Sequence, residues 1–340
     1  MKKISVPAPR QLPSGSWRVQ LLIDGKRISV TEDSEQACIA RAMAIREKML
    51  EPVDKSVKPT LTVAIDRYIE SRENILSPST IRGYRNIQKK RFQKLMKRPV
   101  NACSERDWQC AINAEAKKCS AKTVENAWGF VSSVINEEIG EKFSVTLPQV
   151  VSKPREYLDS DEIKIFLEYA KGNKYEIPVL LALCSLRVSE IIALTWDQID
   201  LKKQLIYVEG AIVPDENNKY VEKAENKNES SRRTVPIMIP QLYTALQQAD
   251  KKSKFVAPYH PKTILNAVNR ICKEAGLPNV GTHGLRHSFA SLAYHLRVPE
   301  KIAMQIGGWA DDETMRKIYI HISKKDVKYY ENAMSDFYKE

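Results

Sequence analysis

Gly281-Thr-His-Gly-Leu-Arg-His-Ser-Phe-Ala-Ser-Leu-Ala-Tyr-His-Leu296 is the stretch from which the rest of the chain can be read. Leu285, Phe289, Leu292, Ala293 and Leu296 recur at helical spacing, which predicts an amphipathic helix over 283–296. His283 and Arg286 stand at i and i+3 and share one face of it. A helix N-terminus already favours anions through its unpaired N–H groups and its dipole, and two cationic side chains there add to the effect. A His-x-x-Arg pair is common by chance, so its meaning depends on what accompanies it.

Three other stretches accompany it. In Ser185-Leu-Arg-Val-Ser-Glu190, Arg187 interrupts two apolar runs, 177–186 and 191–194. An arginine there must reach a site or find a partner, and Glu190, one turn on, can hold it. Asn226-Lys-Asn-Glu-Ser-Ser-Arg-Arg-Thr-Val-Pro236 puts Lys227 in a polar turn between two β-like runs, with Lys223 as its competitor. Thr314-Met-Arg-Lys-Ile-Tyr-Ile-His321 carries Tyr319, 33 residues after Arg286 and 10 after Trp309. There are 14 tyrosines, so a core or hydrogen-bonding role is the default for any one of them. Taken together, the residues fit phosphodiester cleavage. Arginine forks neutralise phosphate oxygens, a lysine and a histidine move protons, and a phenol attacks phosphorus. Such a set requires no metal or other cofactor. A free phenol has a pKa near 10, so neighbouring guanidiniums and a proton acceptor would have to activate it.

Composition agrees. The chain has 340 residues and a net charge of +12, which favours an anionic partner such as nucleic acid. The excess is +3 over residues 1–55, +6 over 56–150 and +3 over 151–340. The six cysteines form no CxxC pair and no Cys/His ligand spacing, so free, buried thiols in a reducing compartment are expected. No stretch of about 18 uncharged apolar residues is present, so no membrane span is expected.

Three domains are expected: 1–55, 56–150 and 151–340. In the first, β-like runs at 17–22 and 26–31 flank Asp24-Gly25, a hairpin signal, and a helix follows over 32–50 with Ala37, Ala40, Ala44 and Ile45 near one face. In the second, Ser77-Pro78 opens a helix expected to run to Arg98, with eight basic residues and an apolar stripe facing inward. No acidic residue lies between Glu73 and Glu105, whereas a solvated helix face normally mixes signs. Arg82, Arg85, Lys89, Lys90, Lys94 and Lys97 are therefore candidate phosphate contacts. A further helix over 121–138 buries Val124, Ala127, Trp128, Val131, Val134 and Ile135. In the third, Asp159–Glu162 reads as a capping box, 205–213 and 233–239 are β-like around a polar stretch 215–231, and helices recur from 239 to 337. The overall class is mainly α with small β-sheets (α+β).

The four motifs, in this order and at these spacings, resemble the tyrosine recombinase (phage integrase) family. The resemblance implies catalytic roles for Arg187, Lys227, His283, Arg286, Trp309 and the nucleophile Tyr319, with Glu190 supporting Arg187. Leu194–Asp200 also resembles the stretch that follows the first arginine in that family. Two positions depart from the pattern: Ser185 stands where glycine is usual, and Trp309 where histidine is more common. Tryptophan donates one hydrogen bond but shuttles no proton, which leaves His283 as the main acid–base group. Tyr329 and Tyr330 lie beyond the motif. The resemblance further implies an arm-type DNA-binding domain, a helical core-binding domain and a catalytic domain, in that order. It implies a transient 3′-phosphotyrosyl linkage, double-stranded DNA attachment sites and a homotetramer on two duplexes. A host DNA-bending protein and an excisionase are optional partners. The expected role is integration or excision of a mobile element, in the cytoplasm at the nucleoid. The alternatives are a catalytically silent DNA-binding regulator on the same scaffold and a type IB topoisomerase-like enzyme.

Overall fold

The computed structural model of the chain describes residues 6–13, 15–23, 25–46, 58–151, 156–223, 232–309 and 324–339. Lys227 and Tyr319, Asp24 of the first hairpin and the helix expected near 311–321 lie outside the described residues.

Near the N-terminus, β1 (Arg10–Gln11), β2 (Trp17–Ile23) and β3 (Lys26–Glu32) form an antiparallel sheet in that order, with Val19 opposite Val30 and Ile23 opposite Lys26. α1 (Glu35–Arg46) packs on it. The inward face of α1 is Cys38, Ala42 and Ile45, with Val19, Leu21 and Val30 beneath. Ala37 and Ala40 are not part of that buried face, contrary to the sequence reading. The bulkier Cys38 and Ile45 take the sheet side and turn those alanines away from it.

Residues 61–139 form a helical unit of α2 (Leu61–Glu70), α3 (Pro78–Lys90), α4 (Glu105–Ala116) and α5 (Ala121–Ile139). Ser77 caps α3 by accepting from the Thr80 N–H, with Pro78 in the first turn. Its core is aromatic: Trp108 and Trp128 lie 5.5 Å apart, and Tyr84 stacks on Phe130 at 3.8 Å. α5 buries the six residues expected of it, plus Phe130. α3 ends at Lys90, eight residues earlier than expected, because Arg91 is extended and Phe92 takes φ +50°. That reversal sends Phe92, Leu95 and Met96 into the core, all at most 5% exposed.

From Leu158 onward one large core is built by α6 (Ser160–Ala170), α7 (Glu176–Leu183), α8 (Val188–Ile191), α9 (Pro240–Gln248), α10 (Pro261–Glu274) and α11 (Gly281–His295). α12 (Glu300–Gly307) and α13 (Lys324–Phe337) follow. Asp159 caps α6 and Glu162 returns a 2.8 Å bond to the Asp159 N–H, the box the sequence predicts. β4 (Ile199–Asp200), β5 (Leu205–Val208) and β8 (Arg233–Pro236) form a sheet in that order, with Val208 opposite Arg233. The β-like run 205–213 divides after Val208. Its second part, β6 (Ile212–Pro214), pairs instead with β7 (Tyr220–Glu222), a strand inside the stretch read as polar loop. β7 is mostly exposed and has only β6 beside it, so it carries no apolar alternation. Four cysteines are buried, Cys119 is partly so, and Cys110 is exposed. Burial pushes the Cys184 thiol up to about 12. Among the described residues no helix is long and apolar enough to cross a membrane.

Candidate active site

Cys184 ends α7, and the next residue reverses the chain. Ser185 adopts φ +74°, a left-handed backbone that a side chain tolerates at a cost. Glycine takes this conformation freely, which is the physical reason for the glycine usual at this position. The turn aims the Ser185 carbonyl at Arg286, whose Nη1 donates to it. Arg187 then starts α8, where Glu190 closes a box. The Arg187 N–H donates to Glu190 Oε2 at 2.8 Å and its Nη1 donates to Oε1 at 2.7 Å. Arg187 therefore has the partner that its place in the sequence calls for. It is salt-bridged to Glu190, and with its side chain 43% exposed it still faces outward.

Arg286 projects from the second turn of α11 and is 2% exposed. Its guanidinium lies 4.3 Å from the centre of the Trp309 ring, and Phe289 stacks on the same indole at 6.1 Å. Trp309 is thus a floor for Arg286, a cation–π contact in a low-dielectric setting. Two glycines make room there. A Cβ on Gly307 would fall 1.9 Å from Trp309 Cζ3, and one on Gly308 would fall 2.8 Å from Arg233 Cδ. The Gly308 carbonyl accepts from Arg187 Nη2 at 2.9 Å.

The cluster holds a third arginine to which the sequence reading gave no role. Arg233 leaves β8 on the same face as the fully buried Val235, and its side chain is 4% exposed. A basic residue on the inward face of a strand was the available signal, since buried charges are paired. It donates to both Glu190 oxygens, at 3.0 and 2.7 Å. Burial pushes the Glu190 carboxyl up, but the two guanidiniums outweigh burial and hold it below its ordinary value. Burial, then repulsion from Arg187 and Arg233, brings Arg286 down to about 9. It stays charged at neutral pH. Three guanidiniums against one carboxylate leave the cluster positive, as a site for a phosphate must be.

His283, one turn before Arg286, sits in the first turn of α11 and lines an open depression with Glu156, Asn279, Val280 and Gly284. Its ring meets His287 edge-on at 4.6 Å. The structure thus gathers Arg187, Glu190, Arg286 and Trp309, with His283 adjacent on the same helix as Arg286.

Residues 156–326, half of the chain, match the family model described as the phage integrase family. The chain belongs to the phage integrase family. This places it among the tyrosine-type site-specific recombinases. A tyrosine recombinase XerC-like protein of Caldanaerobacter subterraneus is 24% identical over 64% of this chain and 67% of its own length. The integrase of Staphylococcus phage L54a is 25% identical over 71% and 81%. Among solved structures, the Tn1549 transposon integrase bound to transposon right end DNA superposes with a TM-score of 0.63 at 18% identity, covering 81% of this chain and 99% of that one. A lambda integrase tetramer bound to a Holliday junction gives 0.55 at 16% identity, covering 92% and 97%. Both structures share the mainly helical fold with small sheets.

The candidate DNA-contacting residues divide by type. Lys89, Lys90, Lys94 and Lys97 reach solvent on and just after the last turn of α3. Arg82 donates to Asn218 Oδ1 at 2.8 Å, in the turn between β6 and β7, and Arg85 pairs with Asp66 and, at 3.3 Å, with Glu216. Arg91 pairs with Glu115 and Arg98 with Asp107. A stretch without acids in sequence has acids brought to most of its arginines in space.

Proposed function

We propose that this integrase-family chain cleaves and rejoins double-stranded DNA at specific attachment sites through a 3′-phosphotyrosyl intermediate, to integrate or excise a mobile element. The observation that carries the proposal is the positive cluster in which Arg187 donates to the Gly308 carbonyl and Arg286 lies over the adjoining Trp309. In this reading the two guanidiniums hold the non-bridging oxygens of the scissile phosphate and neutralise the charge that grows in the transition state. The Tyr319 oxygen attacks phosphorus, and its proton passes to His283. The bond to the 5′ oxygen breaks, and Lys227 protonates that leaving group. A 5′-hydroxyl from the partner strand then attacks the phosphotyrosyl bond, and the same groups run in reverse. The phosphodiester energy is conserved in the protein–DNA bond, so no high-energy cofactor enters.

The division into an arm-type DNA-binding domain (1–55), a helical core-binding domain (56–150) and a catalytic domain (151–340) is supported by the separate apolar cores in these three regions. The lysines after Gln88 suit the core-binding role. A tetramer on two duplexes is supported by the lambda integrase likeness and by exposed Val327, Met334 and Phe337 on α13, which offer apolar surface to a neighbouring protomer. A DNA-bending protein and an excisionase would set direction, and the workplace is the nucleoid in the cytoplasm.

Covalent trapping tests the proposal. The protein is incubated in EDTA with sheared DNA of its source, quenched with SDS, and the protein-bound fragments are sequenced beside Tyr319→Phe. Adducts at a few loci, absent from the variant, are expected. A protein that binds those loci without forming adducts would point to a silent regulator. Adducts with relaxation of supercoils by single protomers would point to a topoisomerase.

A further inference from the structure

We propose that Arg233 is a positioning residue of this site, fixing Glu190, and through it Arg187, against the chain that carries Trp309. The inference rests on the recombinase reading above and assigns a role to a residue outside the set that the motifs name. Arg233 gives its donors to Glu190 and to the Ser185 and Ile306 carbonyls, so it does not meet the substrate itself. Its fork is spent inside the protein. Nη1 and Nη2 engage the two Glu190 carboxylate oxygens end-on, at 3.0 and 2.7 Å. Nε donates to the Ile306 carbonyl at 3.0 Å, at the end of α12. Gly308, at φ +65°, lies so close over the stem that a Cβ would come within 3.0 Å of Cδ, Nε and Cζ. One side chain thus joins the loop of Arg187 and Glu190 to residues 306–308. It does so from β8, the strand that follows the Lys227 segment in sequence and is registered on β5 through Val208.

The consequence for Arg187 follows from how Glu190 is shared. Oε1 accepts from Arg187 Nη1 and Arg233 Nη1, and Oε2 accepts from the Arg187 N–H and Arg233 Nη2. With Arg233 present, neither oxygen belongs to Arg187 alone, and the carboxylate is pinned from below. Without it, Glu190 is a buried carboxylate with one half-exposed cationic partner. It would then draw in the Arg187 guanidinium and take up donors meant for phosphate. Lysine substitutes only in part, because a single ammonium reaches the carboxylate or the Ile306 carbonyl but lacks the planar fork.

The test uses full-length wild type, Arg233→Lys and Arg233→Met on one duplex recovered by covalent trapping, nicked beside the cleavage point so that cleavage is irreversible. Binding is measured by anisotropy, single-turnover cleavage by gel, and the folded fraction by thermal melting. Expected are binding within about twofold of wild type and a cleavage rate per folded molecule down about a hundredfold in Arg233→Met, the reduction that a shift near 1 Å brings. Arg233→Lys should recover part of the rate. A purely structural arginine would lower the folded fraction and leave the rate per folded molecule unchanged, and that result overturns the proposal. If Arg233→Met does not fold, Arg233→Lys decides: a rate at least tenfold down with binding intact supports the role, and a wild-type rate refutes it. If wild type itself leaves no adduct on any DNA, the recombinase reading fails instead. A crystal structure of Arg233→Lys then judges the positioning claim by whether the Arg187 guanidinium has moved.

Discussion

Glu190→Gln keeps the size of the side chain that three N–H-bearing groups share and removes only its charge. The amide oxygen still accepts from Arg187 Nη1 and Arg233 Nη1. The amide nitrogen, however, faces the Arg187 N–H at 2.8 Å and Arg233 Nη2 at 2.7 Å, donor against donor. Two charge-assisted bonds disappear, at about 1.5–3 kcal/mol each. Glu190 and the Arg233 side chain are 7% and 4% exposed, so solvent compensates little there. Arg187 is 43% exposed, and its ion pair adds under about 1 kcal/mol. The expected destabilisation is about 3–5 kcal/mol, the range for opening a buried ion pair, or a fall in Tm on the order of 10 °C. Urea unfolding of both proteins across pH gives a second check. The neighbours hold the Glu190 carboxyl below its ordinary 4.5. Its stabilisation is therefore complete above that value and is lost as pH falls through the lower, folded value. The gap between wild type and variant should be full at pH 7 and should narrow as the medium becomes strongly acid. A gap under about 1 kcal/mol at pH 7, or one that does not narrow at all in strong acid, would refute the reasoning.

Three other outcomes are expected. Gly307→Ala puts a methyl 1.9 Å from Trp309 Cζ3, so the indole must leave Arg286, lowering stability by about 1–3 kcal/mol and weakening the near-ultraviolet circular dichroism, while an unchanged spectrum would count against the packing described. Arg91→Gln leaves Glu115, 6% exposed, with Lys118 at 3.8 Å as its remaining ion pair among the described residues, and should lower the urea midpoint by the equivalent of about 2–3 kcal/mol. Replacing Lys89, Lys90, Lys94 and Lys97 together by glutamine should lower the slope of log affinity against log salt on a random duplex by about 0.9 for each phosphate that is no longer neutralised, and an unchanged slope would place the DNA-facing surface elsewhere.

Local signals in the sequence were legible wherever local chemistry decides the structure. Ser77-Pro78 and Asp159–Glu162 cap their helices by bonds within three residues, and the β2–β3 hairpin pairs neighbours. The pairing of Arg187 with Glu190 was legible because the two stand one turn apart. What the sequence hid came from distant segments. Arg233 owes its burial to Glu190 and to Ile306, 43 and 73 residues away. The arginines around α3 meet Asp66, Glu115 and Glu216, none of which lies in the acid-free stretch. The end of α3 is set by the core's demand for Phe92, not by a proline or glycine. β7 forms because β6 needs a partner, a requirement that leaves no periodicity in its own three residues.

The bonds that converge on the arginine cluster also set an order in time. Arg187 reaches Gly308 across 121 residues, Arg286 reaches Ser185 across 101, and Arg233 reaches Ile306 across 73. A chain emerging from the ribosome has made Arg187 and Glu190 long before it has made the Ile306 and Gly308 carbonyls and the Trp309 indole that hold the cluster in shape. Such an unfinished chain has its first arginine but not the closed cluster. DNA beside the site of synthesis is therefore met by a competent cluster only after residue 309 has left the exit tunnel and the ends of this network have closed.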